Sequence, residues 1–121
     1  MNQQKLSSLG IDVSKKHLDV YYLPEGYSSR YDNTKEGLES LREWIQTHPV
    51  NFIIFEPSGG YEKSLRFFLK VHKIKFSMVN ASQIRNFAKA KGLLAKTDKI
   101  DAMVLADYGL KFQPKTPLEI C

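Results

Sequence analysis

Phe52-Ile53-Ile54-Phe55-Glu56-Pro57-Ser58-Gly59-Gly60 is a run of four apolar residues closed by a carboxylate, a proline and two glycines. Four apolar residues in a row are too few for a helix and do not alternate as a half-solvated strand does. They read as a strand buried on both faces, as a central parallel position requires. Glu56 ends that strand. Gly59-Gly60 allows a sharp turn, after which Tyr61, Leu65, Phe68, Leu69 and His72 keep helical spacing. A carboxylate is thereby placed at the carboxyl end of a buried strand, where ligands of open α/β sheets usually bind.

Upstream, Leu6 to Val13 reads as a first strand that offers Asp12 at its carboxyl end. His17 to Leu23 is a second strand, close enough behind to form an antiparallel hairpin, and Tyr27 to Asp32 adds a third. Asn33 with Glu36 resembles a capping box, and Leu38, Leu41, Trp44 and Ile45 then share a helical face that stops before Pro49. Downstream, Phe76 to Val79 makes the last strand. Ser82 is the expected cap of the next helix, with Ile84, Phe87 and Ala88 inward, Lys89 to Lys96 reads as a mobile connection, and Thr97 as the cap of the final helix. Three antiparallel strands followed by helix, strand, helix, strand and helices describe a mixed five-stranded sheet, order 3-2-1-4-5, flanked by helices: the RNase H-like layout. The first and fourth strands then lie side by side and parallel, bringing Asp12 and Glu56 together.

Asp98 and Asp101, in Lys96-Thr97-Asp98-Lys99-Ile100-Asp101-Ala102, are three apart and expected on one side of the last helix near its positive end. Carboxylates converging at strand ends need compensation for buried charge, and a divalent cation supplies it. Mg²⁺ takes oxygen ligands, and Mn²⁺ accepts the same ones. Asp12, Glu56, Asp98 and Asp101 are therefore the candidate catalytic and metal-binding residues. Two ions about 4 Å apart would hold the attacking and leaving oxygens on one phosphorus. An isolated Asp-x-x-Asp is more often a helix cap beside a paired charge, and it is Asp12 and Glu56 that favour the metal reading.

The 121 residues suit one domain with a real core, 42% hydrophobic and 26% charged, with no apolar run near the roughly 20 residues of a membrane span. Met1-Asn2-Gln3-Gln4-Lys5 lacks the build of a secretory signal, and the only cysteine is Cys121, which points to the cytoplasm. The net charge of +5 is unevenly spread. Residues 63–96 hold nine Lys or Arg and no acid, whereas residues 1–62 hold nine acids against six bases. Such a block fits a polyanion backbone or, equally, a solvated helical face; its closeness to the carboxylates favours nucleic acid. Lys15, Arg85, Lys89, Lys91 and Lys96 are the candidate phosphate contacts.

Gly10-Ile11-Asp12-Val13-Ser14-Lys15, Glu56-Pro57-Ser58-Gly59-Gly60-Tyr61-Glu62 and Lys96-Thr97-Asp98-Lys99-Ile100-Asp101-Ala102, in this order, resemble the N-terminal domain of DEDD-type insertion-sequence transposases, relatives of the Piv and MooV DNA invertases. The resemblance spans nearly the whole chain. It implies a RuvC-like fold, a Mg²⁺-binding tetrad at Asp12, Glu56, Asp98 and Asp101, action on DNA guided by an RNA from the element, and assembly as dimers or larger oligomers. It also implies a second domain bearing a nucleophilic serine; the sequence stops at Cys121 before it and so reads as a truncated or isolated single domain, residues 1–121. Pro57 and Ser58 depart from the small residue and threonine expected there.

His17, His48 and His72 lack metal-ligand spacing, and Asp19, Glu62 and Asp107 read as solvated or paired. Ser14 and Ser58 have no evident base. Two rival readings stay open. One is an actin- or sugar-kinase-like ATPase fragment, for which Ser14-Lys15-Lys16 is a poor phosphate turn. The other is a non-catalytic nucleic-acid-binding or oligomerisation module.

Overall fold

The computed structural model describes residues 6–92 and 101–114. Five strands, β1 (Ser8–Val13), β2 (His17–Leu23), β3 (Tyr27–Asp32), β4 (Phe52–Phe55) and β5 (Ser77–Met78), form one sheet in the order β3-β2-β1-β4-β5. The helices are α1 (Lys35–Thr47), α2 (Lys63–Val71), α3 (Ala81–Ala90) and α4 (Ala102–Phe112). β1 pairs antiparallel with β2, and β2 with β3, while β1–β4 and β4–β5 are parallel. The expected order and directions are those observed.

The β4 run is buried on both faces, as its sequence requires. Ile53 and Phe55 join Leu9, Ile11, Leu18 and Val20 against Leu38 and Leu41 of α1 and Leu65 and Leu69 of α2. Ile54 points the other way, into a cluster with Ile84, Phe87 and Ala88 of α3 and Val104 and Leu105 of α4. On that second face β1 presents small residues because α4 lies directly on it. A Cβ at Gly10 would overlap the Ala102 carbonyl and the Ala106 amide of α4, and one at Gly109 would overlap Ser8 and Ile54. This close approach fixes where the N-terminus of α4 falls relative to β1.

The helix caps differ from expectation. Thr34, and not Asn33, caps α1, its Oγ1 accepting from the Gly37 amide at 3.0 Å. Asn80 caps α3, accepting from the Gln83 amide at 2.9 Å, and Ser82 donates to it at 3.0 Å. Asp101 caps α4 through the Val104 amide at 3.1 Å, so it precedes the helix and does not ride on it; Thr97 lies outside the described residues. β1 and β5 are shorter than read, while β2 and β3 have the expected bounds. Of the connection read as Lys89 to Lys96, Lys89 and Ala90 close α3, and residues 93–96 lie outside the described part. Among the described residues no helix is long and apolar enough to cross a membrane.

Candidate active site

Asp12 and Glu56 are brought together by strand register. The β1–β4 ladder pairs Ser8 with Phe52, Leu9 with Ile53 and Gly10 with Ile54, and the same offset carried two residues on sets Asp12 beside Glu56 at the carboxyl ends of two parallel strands. The electrostatics agree. Glu56 holds its proton above the ordinary carboxylate range, chiefly through burial; the Arg85 guanidinium pulls the other way, and the negative charge of Asp12 adds to the rise. Arg85 reaches this position because β5 pairs with β4 and leads through Val79, whose amide donates to the Phe55 carbonyl at 3.0 Å, into α3.

Asp101 approaches from the α4 side. With Asp12 it lines an open cleft of about 580 Å³ that runs over β2 and β3 past Asp19, Tyr21, Ser28 and Arg30. One Asp101 oxygen serves the Val104 amide. Asp98, the fourth expected carboxylate, lies outside the described residues, as does Lys96. Among the described residues no three His, Cys, Asp or Glu side chains converge closely enough to hold an ion. The chemistry of the donors nonetheless fits a hard divalent cation, because Asp12 and Glu56 are oxygen ligands whose charges oppose each other in a partly desolvated place.

Two side chains expected in other roles, Asn33 as a helix cap and Glu62 as a solvated or paired acid, organise the loops behind these carboxylates. The Asn33 side-chain amide donates to the Ser14 carbonyl at 2.9 Å and to the Tyr61 carbonyl at 3.1 Å, tying the turn after Asp12 to the loop after Glu56. Glu62, expected to be solvated or paired on a helix, is instead 6% exposed and folds back on its own loop. Its Oε1 accepts from the Ser58 amide at 2.8 Å and the Gly60 amide at 3.1 Å, and these backbone donors hold its acidity below the ordinary carboxylate range. The reason is position: α2 begins at Lys63, which leaves Glu62 just ahead of it. The glycine pair two residues before Glu62 was the available signal, since glycine amides in a tight turn need an acceptor. Ser58 donates to the Glu56 carbonyl at 3.1 Å and Ser14 to the His17 carbonyl at 3.1 Å, so both hydroxyls brace turns.

The basic candidates are scattered around this centre. Lys15 is exposed in the turn after β1, Lys89 is exposed at the end of α3, and Lys91 stands 3.7 Å from the Asp107 carboxylate and over the Phe87 ring. Asp19 and Asp107 are paired, as read, with Arg30 and Lys91. Two histidines lie against aromatic rings, His48 stacked on Trp44 with ring centroids 4.0 Å apart and His72 tilted against Phe68 at 4.4 Å.

A mixed sheet in the order 3-2-1-4-5 with carboxylates at the ends of its central strands defines an RNase H-like domain. A transposase family model, that of the IS110-type DEDD transposases, matches residues 9–120, and the chain belongs to that family. The pilin gene-inverting proteins of Moraxella lacunata and Moraxella bovis are each 35% identical to it over 123 aligned positions, which cover 93% of this chain. The chain spans 38% of the length of these curated relatives. RuvC of T. thermophilus, solved in complex with a Holliday junction substrate, superposes with a TM-score of 0.61 at 12% identity, covering 93% of this chain and 99% of that one. The fowlpox virus Holliday junction resolvase gives 0.54 at 14% identity, covering 89% and 97%. At these identities the likeness concerns the fold, which is RuvC-like as expected.

Proposed function

We propose that this domain is the carboxylate-bearing centre of a DNA recombinase, in which Asp12, Glu56, Asp98 and Asp101 hold Mg²⁺, or Mn²⁺ in its place, for strand cleavage and phosphoryl transfer. The observation that carries this reading is the meeting of Asp12 and Glu56 at the carboxyl ends of adjacent parallel strands, in a chain of the transposase family. Bound divalent cations supply charge neutralisation and orientation for in-line displacement at phosphorus. The protein supplies the rest. Register fixes the first two carboxylates, Asn33 and Glu62 hold their loops, and the packing of α4 on Gly10 sets Asp101 at the edge of the same cleft. Arg85, beside Glu56, offers positive charge to a phosphate arriving at the strand ends, with Lys15, Lys89, Lys91 and Lys96 around it. The family resemblance extends the reading to an RNA guide encoded by the element and to a dimer or larger assembly.

The test is metal-linked thermal unfolding together with DNA binding. Mn²⁺ at a hundred times its dissociation constant stabilises a single site by about 2.7 kcal/mol. Asp12→Asn and Glu56→Gln are expected to abolish that response and the metal dependence of DNA affinity. DNA binding indifferent to metal and to Asp12→Asn would replace this reading with a non-catalytic nucleic-acid-binding module.

A further inference from the structure

We propose that Arg30, on edge strand β3, is a phosphate-binding residue of the DNA path leading to Asp12, and that Asp19 holds its guanidinium ready in the free protein. The inference rests on the nucleic-acid reading above and adds to it a binding track on the opposite side of Asp12 from Glu56. Strand register places the three residues in one row: Asp12 pairs with Asp19 across β1–β2, and Asp19 with Arg30 across β2–β3. At about 4.8 Å between neighbouring strands, the row extends roughly 10 Å from Asp12. All three line the cleft that Asp101 also borders, with Tyr21 and Ser28 adding hydroxyls to its floor.

The opposite-charge pair across β2–β3 is a modest sheet contact, but Asp12 beside Asp19 is not one. Two aspartates directly opposite on neighbouring strands repel each other. β3 is an edge strand, and all its residues but Tyr31 are exposed. The Arg30–Asp19 pair is two-pronged, Nε to Oδ1 at 2.7 Å and Nη2 to Oδ2 at 3.2 Å, the same fork that a guanidinium offers to phosphate oxygens. With the side chains 60% and 38% exposed, solvent screens the pair and makes it easy to open. Asp19 thus keeps the guanidinium over the cleft floor, and a phosphate entering the cleft exchanges with it.

The experiment is fluorescence anisotropy of the full chain with labelled duplex DNA across a salt series, in EDTA so that the carboxylates' metal plays no part. Arg30→Gln is expected to weaken binding about tenfold and to lower the salt slope by about one. Arg30→Lys retains the charge without the fork and falls between. Asp19→Asn, which removes the competitor, tightens binding. Opposite signs at the two positions distinguish a ligand contact from a structural pair, and thermal melts of each variant confirm folding. Unchanged affinity in Arg30→Gln, or weakening by both Arg30→Gln and Asp19→Asn in step with lost stability, overturns the inference while leaving the nucleic-acid reading in place. Failure of the unmodified chain to bind DNA overturns both.

Discussion

Glu56 and Glu62 stand six residues apart on either side of one loop, and the fold moves their acidities in opposite directions. Glu56 ends a buried strand next to Asp12, where charge is resisted; Glu62 sits among backbone amides, where charge is favoured. The first opposes folding when it is ionised. The second builds the loop that presents the first. Two residues of one type in one motif therefore do different work. What separates them is the surroundings of the carboxylate: burial, with a neighbouring acid adding to it, for Glu56, and N–H donors for Glu62.

The frame under both is the most sensitive point. Gly10→Ala drives a methyl group into the backbone of α4, and overpacking of this kind costs about 3 kcal/mol in urea unfolding. Because it lifts α4, it is also expected to separate Asp101 from Asp12 and weaken the metal response. Glu62→Ala strips the acceptor from two loop amides and should cost about 2 kcal/mol. Its contribution is present above the unfolded-state value of 4.5 and is lost as pH falls through the lower folded-state value, so wild type and variant converge in acid. Asn33→Ala, which unties the two carboxylate-bearing turns, should cost about 1 kcal/mol, with a larger proportional loss of metal affinity.

The smallest effect has the opposite sign and is the sharpest test of the contrast. Since the folded state binds the Glu56 proton more tightly than the unfolded chain does, ionisation of this group opposes folding as pH rises above 4.5. Glu56→Gln is therefore expected to raise the melting temperature slightly at neutral pH without metal, to lose that advantage in acid, and to abolish stabilisation by Mn²⁺. A lowered melting temperature at neutral pH would place Glu56 with Glu62 as a structural residue.

The sheet could be read from sequence because its signals are local: the unbroken Phe52–Phe55 run, the strand pattern of β2 and β3, and the helical spacing after Gly60. Parallel pairing of β1 and β4 then followed from topology, and with it the meeting of Asp12 and Glu56. The caps of α1 and α3 were misplaced by one and two residues because Asn33, Thr34, Asn80 and Ser82 are all competent by type. Asn33 is drawn away from α1 by carbonyls 19 and 28 residues distant, which no local pattern encodes. The Asp12–Asp19–Arg30 row was equally hidden, since it needs the register of two strand pairs at once.

The metal reading of the site is that Asp12 and Glu56 form one side of a divalent-cation site that Asp101 and Asp98 complete. Crystals soaked in Mn²⁺ and measured for anomalous scattering locate the ion directly, because manganese accepts the oxygen ligands of magnesium. A peak bounded by Asp12 and Glu56 with Asp98 or Asp101 in reach is expected. No peak there, with Asp98 and Asp101 held rigidly elsewhere in the crystal, would contradict that reading.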